Sequence, residues 1–376
     1  MVESDFEIIS DPLFKNFIER RKLSKSTETV YVGRIKSFCE FLGKNPSELI
    51  KDAQKGRKIN RYFNEYIESL KENGKSSNTI VNRVDTVKAF YNEYDIDTKS
   101  INQIISPQQF EKASGKIISQ EQIKEALELS NLRDKAIILL HISSGMEATE
   151  LRSLTYGDFI NSLEKYIDLD DGDLFDINKI ADELFKTDIM VGTWKIKKHR
   201  TQRSYVTFNT SESIKAILSY LIDRERKNKP VKSLKDPLFV NSQNQALNVS
   251  AHGSIFKRVN NRANFGYLTK KRRFFSSTML RKYFKDKLNE SGIDESTINA
   301  ILGQKLDPNI NYHSDLEIEH LKNIYLNVSD NLSIEKMVID NVTSEEYQNL
   351  VKKLNKKDKE LEEIKKQLNY IKNIIN

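Results

Sequence analysis

The chain has 376 residues, of which 61 are Lys or Arg and 54 are Asp or Glu, giving a formal net charge of +7. Charged residues make up 31% and hydrophobic residues 38%, which is typical of a folded globular protein and excludes a disordered chain. The longest apolar run, at 136–140, is too short to cross a bilayer, and we expect no secretory signal. The single cysteine, Cys39, can form neither an internal disulfide nor a zinc site, so we expect a metal-free protein of the reducing cytoplasm.

Residues 10–98 are predicted to form a helical domain. Pro12–Arg21 places its apolar residues on one helical face, and the cap signal at Ser24 begins a second amphipathic helix. Arg61–Glu72 and Asn78–Tyr94 favour two further helices. Basic residues at the helix starts and loops of this domain are candidates for contacts with an anionic partner: Arg20, Arg21, Lys25, Arg34 and Lys75.

Residues 99–117, which contain Pro107 and Gly115, are predicted to be a linker, and a second domain is predicted over 118–338. This domain begins with a helix start at Ser119–Gln122, followed by a helix over Asp134–Ser144. Ser144–Gly145 breaks that helix, and a further one is expected over Ala148–Leu154.

The middle of the second domain changes character twice. Glu164–Asp188 is acidic and favours a surface insertion. Trp194–Ile196 and Tyr205–Phe208 alternate apolar and polar residues around a polar turn, which predicts a β-hairpin. From Ser211 to about Val338 the patterns are mostly helical.

The last segment, 342–376, has a heptad pattern. Apolar or aromatic residues recur every seven positions at Tyr347, Leu354, Leu361, Leu368 and Ile375. This spacing, with Lys and Glu between, predicts a coiled coil, and a helix packed on its own domain remains the alternative.

The densest basic segment comprises Lys270, Lys271, Arg272 and Arg273, followed by Arg281. A helix that begins near Ser277 would bury Leu280 and Phe284 and leave the cationic groups where a phosphate backbone could meet them. A run of charge alone is more often a solvated face than a binding surface.

Several short motifs, taken in chain order, resemble the tyrosine recombinases of the phage integrase family. Thr278–Arg281 is similar to the family's His-x-Leu-Arg box, and Leu302–Gln304 is similar to its Leu-Gly-His segment. Tyr312 follows Gln304 by eight residues, close to the spacing of the family's nucleophilic tyrosine. Upstream, Arg133–Leu154 resembles the first box, and Trp194–Phe208 resembles the basic hairpin. The similarity covers about residues 10–335.

The resemblance implies a mainly α (α+β) fold, with a helical core-binding domain before a catalytic domain that contains a small β-hairpin. It implies a site-specific recombinase that cuts and rejoins double-stranded DNA through a 3′-phosphotyrosyl intermediate and works as a homo-tetramer. Because bond energy is kept in that covalent intermediate, no cofactor, ATP or metal is required. The basic residues named above, including Lys270, Lys271, Arg272 and Arg273, would then contact the DNA backbone.

The resemblance also assigns catalytic roles. Tyr312 matches the nucleophile and Arg281 the second-box arginine, whose guanidinium would stabilise the charged transition state. Tyr325 is a rival nucleophile, although it falls within a helical apolar pattern. The hairpin residue that donates a proton to the leaving 5′-oxygen would be Lys198 or Arg200. Lys198 is preferred if it can reach, since a guanidinium pKa above ~12 makes arginine a poor proton donor.

Three positions depart from the family pattern. Glu147 stands where the first-box arginine is expected, Thr278 replaces a histidine and Gln304 replaces the last histidine. Thr278 and Gln304 can still hydrogen-bond a phosphate oxygen, but a carboxylate at 147 would repel the phosphate. Arg152 could supply the missing arginine if its helix begins after residue 147. The alternative function is therefore a catalytically impaired relative that acts as an accessory or regulatory DNA-binding protein.

Overall fold

The computed structural model describes residues 8–56, 59–98, 116–170, 172–184, 187, 190–198, 203–269, 272–304 and 314–334. The chain divides into two compact units, Met1–Ser114 and Gly115–Asn376. The predicted coiled coil over 342–376 and most of the predicted linker lie outside the described residues.

The N-terminal unit is a helical bundle. Its helices are α1 (Pro12–Arg21), α2 (Lys25–Leu42), α3 (Pro46–Gln54), α4 (Ile59–Glu72) and α5 (Ser77–Asn92). Side-chain oxygens of Ser24, Asn45 and Ser76 accept backbone N–H bonds at the starts of α2, α3 and α5, so the sequence itself sets where these helices begin. Aromatic residues such as Phe17 and Phe90 form the core between them.

The C-terminal unit is also mainly helical, with two small antiparallel sheets. Its helices are α6 (Gln120–Glu128), α7 (Leu132–Ser144), α8 (Ala148–Ser153), α9 (Tyr156–Ser162), α10 (Ile177–Leu184), α11 (Ser211–Arg226), α12 (Val249–Arg262), α13 (Ser277–Glu290), α14 (Glu295–Ile301) and α15 (Asp315–Leu332). Helix α7 is buried from Ala136 to Ser144 and packs against α11 and α13. A helix that is buried on all sides in this way lies at the centre of a core. The expected mainly α fold is confirmed.

The predicted hairpin is present. Strands β1 (Gly192–Lys197) and β2 (Ser204–Asn209) pair in antiparallel register from Gly192 with Asn209 to Lys197 with Ser204. Helix α7 and helix α14 both pack against β2. A second, very short pair, β3 (Tyr267–Thr269) and β4 (Arg272–Arg273), lies in the region expected to be mostly helical.

The acidic stretch is only partly a surface insertion. Within it, α10 buries Ile177, Ile180, Ala181 and Leu184 against the main core of the unit. These residues recur at three- and four-residue intervals, so one face of the helix is apolar while its acidic residues lie on the other. The high acidic content of the segment conceals this short periodicity.

No helix in the described part of the chain is both long enough and apolar enough to cross a membrane. Among the same residues there is no group of three or more His, Cys, Asp or Glu side chains placed to hold a metal ion.

Candidate active site

Arg281 is anchored at the junction of two loops. It lies on the first turns of α13, where Leu280 and Phe284 are fully buried and hold the helix against the core. One guanidinium nitrogen, Nη1, donates to the backbone oxygen of Gly145, and Nη2 donates to that of Leu302 at 3.0 Å. Gly145 belongs to the first-box motif, and Leu302 belongs to the Leu-Gly-Gln motif. Arg281 therefore brings the two motifs together.

Lys198 and Arg281 converge on one carboxylate. Lys198 follows β1, and its Nζ lies 3.4 Å from Oε1 of Glu147, while Nη2 of Arg281 lies 3.5 Å from the same oxygen. The Lys198 and Arg281 side chains are only 16% and 13% exposed, whereas that of Glu147 is 49% exposed. The structure thus places the hairpin lysine and the second-box arginine around a single point.

A second carboxylate lies behind this point. Glu150 is buried, and its Oε2 accepts bonds from the Tyr205 hydroxyl and the Glu147 backbone N–H, each at 2.7 Å. Its Oε1 lies 3.9 Å from Nζ of Lys198, which in turn lies 5.3 Å from the centre of the Tyr205 ring. Burial and the neighbouring Glu150 carboxylate raise the pKa of Tyr205 well above its ordinary value. Tyr205 is therefore a neutral hydrogen-bond donor that holds Glu150 in place.

Arg152 bonds within its own helix. Helix α8 does begin after residue 147, as the hypothesis for Arg152 required. Its Nε donates to the Ala148 backbone oxygen at 3.0 Å, and Nη2 donates to the Thr149 hydroxyl at 3.3 Å. The substitution of Arg152 for the family arginine stays a hypothesis. The charged side chain from the first box that contacts Arg281 in this structure is Glu147.

The other predicted catalytic residues are only partly described. Thr278 is exposed on the first turn of α13, and Gln304 is partly exposed just after Gly303. The backbone N–H of Gln304 donates to the Asn299 oxygen at 2.7 Å, which closes the turn after α14. Tyr312 and Arg200 lie outside the described residues, and their roles stay predictions.

The rival tyrosine, Tyr325, is a buried structural residue. It is fully buried on α15, and its hydroxyl donates to the Ser143 backbone oxygen at 2.7 Å. Burial raises its pKa well above the ordinary value. A phenol in this position cannot reach a DNA phosphate.

The candidate DNA contacts of the N-terminal unit fall into two groups. The three arginines bond within the unit: Arg20 and Arg21 pair with Glu93 at 3.6 and 3.7 Å, and Arg34 donates to the Asn82 oxygen at 3.0 Å. The two lysines are exposed, with Lys25 on the first turn of α2 and Lys75 just before α5. The lysines are therefore the freer cations of the set.

In the basic segment before α13, Lys270 and Lys271 lie outside the described residues. Arg272 is exposed, and Nε of Arg273 donates to Oδ1 of Asn261 at 3.1 Å. The Arg273 guanidinium also lies 5.5 Å from the centre of the exposed Tyr267 ring. Both arginines lie on β4, so the short hairpin presents them at the surface.

Three parts of this site were not predicted from the sequence. Glu147 stands out there only as a mismatch with the family pattern, and no motif gives a role to Glu150 or Tyr205. One signal was available, because Glu150 follows Glu147 by three residues, the spacing at which a helix's third residue bonds back to its N-cap.

The sequence matches the profile of a known protein family. The profile of the phage integrase family matches residues 116–314, more than half of the chain. The chain therefore belongs to the phage integrase family.

A curated relative and solved structures are similar over most of the chain. A protein of Caldanaerobacter subterraneus subsp. tengcongensis that is named as a tyrosine recombinase is 24% identical over 323 residues, covering 83% of this chain and 95% of the relative. The XerH recombinase bound to its palindromic difH substrate has a TM-score of 0.51 at 17% identity, covering 85% of this chain and 82% of XerH. A lambda integrase dimer bound to a core site has a TM-score of 0.50 at 11% identity, covering 81% of this chain and 96% of that chain. These structures share the fold of this protein.

Proposed function

We propose that this protein is a site-specific tyrosine recombinase that cuts and rejoins double-stranded DNA. One observation carries the proposal: Lys198 and Arg281, the hairpin lysine and second-box arginine of a phage integrase family member, converge on one point at 3.4 and 3.5 Å. Two cations around one point suit the oxygens of a single backbone phosphate.

In this reaction the Tyr312 hydroxyl attacks the phosphorus, passes its proton to water and forms a 3′-phosphotyrosyl bond while the bond to the 5′-oxygen breaks. Arg281 stabilises the extra negative charge on the phosphate oxygens, because its guanidinium is already fixed by two carbonyls and needs no reorganisation. Lys198 donates the proton that the leaving 5′-oxygen takes up. The reverse sequence rejoins the strand. None of these steps uses a metal or a nucleotide cofactor.

The position of Tyr312 in the chain supports its role. Tyr312 follows Leu302, whose backbone oxygen accepts a hydrogen bond from Arg281, by about ten residues and comes shortly before Ser314, which caps α15. Thr278 and Gln304 would add hydrogen bonds to the phosphate oxygens.

The wider setting follows from the same reaction. Exchange of strands between two duplexes requires four cleavages, so we propose that the protein acts as a homo-tetramer on DNA, in the cytoplasm. The predicted coiled coil over 342–376 would add contacts between protomers.

A catalytically impaired, accessory DNA-binding protein is the second candidate. The observation that favours it is the Glu147 carboxylate, which adds negative charge where the phosphate would bind. An accessory protein would bind DNA without forming a covalent adduct.

A suicide substrate separates these two functions. A nicked duplex that loses its 5′-hydroxyl fragment on cleavage traps the phosphotyrosyl bond, and the wild-type chain should form a covalent adduct on gel electrophoresis. Tyr312→Phe should abolish the adduct, since it removes the only attacking oxygen proposed. Tyr325→Phe is the matched control and should still form it, because Tyr325 is buried and bonds to Ser143. Absence of any adduct across a library of duplex sites would favour the accessory function.

A further inference from the structure

The Glu147 carboxylate occupies the position that an anionic ligand would take. Its Oε1 is shared by Nζ of Lys198 and Nη2 of Arg281, at 3.4 and 3.5 Å. A phosphate oxygen that bridged the same two cations would have to lie at the same place. In the described site, this carboxylate and a bound phosphate are therefore mutually exclusive.

The two cations have further contacts that hold them, whereas the carboxylate is half exposed. Arg281 is held by the carbonyls of Gly145 and Leu302, and Lys198 lies against the Tyr205 ring beside Glu150. The Glu147 side chain is about half exposed, with solvent on one side. Rotation of its side chain would clear the position without disturbing either cation.

Exchange of the Glu147 carboxylate for a backbone phosphate does not change the charge between the two cations. Lys198 and Arg281 carry two positive charges, and Glu147 and Glu150 carry two negative ones. Replacing the Glu147 carboxylate by a phosphodiester exchanges one monoanion for another. Glu150 stays buried behind Lys198 throughout, held by Tyr205. The position shared by the two cations thus holds one negative charge both before and after DNA enters.

We infer that Glu147 is an internal substrate mimic, which keeps the phosphate position closed until a backbone phosphate of bound duplex DNA displaces it. This inference rests on the proposed function and names a specificity-determining residue of the same site. A free anion must compete with a carboxylate that is tethered beside the cations at high effective concentration. A phosphate of a duplex that other residues already hold has the same advantage, so the site selects phosphates delivered by DNA.

Inorganic phosphate is the probe that tests this inference without requiring cleavage. Binding to the full chain is followed by phosphorus-31 line broadening at fixed ionic strength. Glu147→Gln should bind phosphate about fivefold more tightly than wild type, or better, because the neutral amide no longer competes as an anion for the position between Lys198 and Arg281. Glu319→Gln is the matched control, since Glu319 is 47% exposed and pairs with Lys165 at 2.7 Å. This control should bind phosphate as wild type does.

A double variant tests whether the added phosphate affinity of Glu147→Gln depends on Lys198. Glu147→Gln combined with Lys198→Met should lose the added affinity, because one of the two cations that share the position is gone. Equal or weaker phosphate binding by Glu147→Gln, or a gain that survives Lys198→Met, would overturn the inference. The suicide-substrate assay on the same variants reports separately on the proposed function. An absence of adducts in all of them would count against recombinase activity, and the phosphate titration would still decide the role of Glu147.

Discussion

His141 and His252 form a buried pair next to the first-box loop. Their Nε2 atoms lie 3.1 Å apart, and Nδ1 of His141 lies 3.1 Å from the backbone oxygen of Met146, the residue before Glu147. A carbonyl can only accept, so Nδ1 of His141 carries the proton and its Nε2 accepts from Nε2 of His252. A second proton on His141 would place two N–H groups face to face.

Both histidines are therefore held neutral. Burial and the facing His252 lower the pKa of His141 from 6.5 to about 3. Burial and the nearby Arg152 lower the pKa of His252 from 6.5 to about 4. In the unfolded chain both rings regain their ordinary pKa, so below pH 6.5 the unfolded state binds more protons than the folded state.

We predict that the free energy of unfolding falls as the pH decreases from about 6.5 towards 5. Each histidine contributes a slope of up to about 1.4 kcal/mol per pH unit below its ordinary pKa, and above that pH it contributes none. Urea unfolding at several pH values measures the slope. His252→Gln should reduce the slope by about half, since the amide can still donate to His141 but does not titrate.

The control for this prediction is His320→Gln, which replaces an exposed histidine on α15 and should keep the wild-type slope. A free energy of unfolding that stays level or rises on acidification to pH 5 would show that the pair is not neutral in the folded protein.

At the scale of single residues, the sequence motifs predicted that Arg281 and a basic residue of the hairpin belong to one site, because the motifs fix their order along the chain. The structure places Arg281 and Lys198 beside the same carboxylate, and their catalytic roles stay predictions. The hydrogen bonds of Arg281 are to backbone carbonyls, which every residue has and no motif marks. The direction of the Glu147 side chain depends on its contact with Lys198, which the β1–β2 hairpin positions. The two residues are 51 positions apart, so no local sequence pattern predicts this contact.

At the scale of elements, two glycines allow the loops of the first-box and Leu-Gly-Gln motifs to pack closely around Arg281. Gly145 ends α7 with φ +63°, and Gly303 follows α14 with φ +61°. A Cβ at Gly145 would lie 2.7 Å from the Leu302 side chain, and a Cβ at Gly303 would lie 2.5 Å from the Tyr205 ring. The loops that present carbonyls to Arg281 can pack this closely only without side chains at these positions.

We predict that Gly303→Ala destabilises the protein by about 2–4 kcal/mol. The added methyl group combines the left-handed backbone penalty of about 1–2 kcal/mol with a clash against buried Tyr205, which Glu150 holds in place. Gly292→Ala is the matched control, because Gly292 has φ +76° but no atom within 4 Å of its Cβ position. It should lose only the backbone part. Urea unfolding measures both, and equal losses would show that packing on Tyr205 contributes nothing.

The helices and strands that were not predicted from the sequence are short. Helix α3 has nine residues and was overlooked, although Asn45 and Pro46 form a recognisable helix start. Strands β3 and β4 have three and two residues, too few to show an alternating pattern. Longer elements with a strong period, such as α2, α7 and the β1–β2 hairpin, were predicted because many residues repeat the same signal.

At the scale of the whole molecule, only part of the positive charge is available to bind DNA. The net charge is +7, but many cations already pair with carboxylates of the protein, as Arg20 and Arg21 do with Glu93. In the part of the chain that the structure describes, no ion pair involves Lys25 or Lys75. Each lies at a Ser-capped helix start, where backbone N–H groups add to the positive potential. Among the five candidate cations of the N-terminal unit, these two lysines are therefore expected to contribute most to DNA affinity.

We predict that affinity for duplex DNA falls steeply with salt, because phosphate contacts release counterions when they form. The logarithm of the binding constant should decrease linearly with the logarithm of salt concentration between about 50 and 200 mM, measured by fluorescence anisotropy. Lys25→Met and Lys75→Met should each reduce the magnitude of the slope by about 0.9. Lys71→Met, which removes a lysine already paired with Glu68 at 2.8 Å, should leave the slope unchanged. Binding that is insensitive to salt over this range would mean that apolar or base contacts, and not the backbone phosphates, hold the duplex.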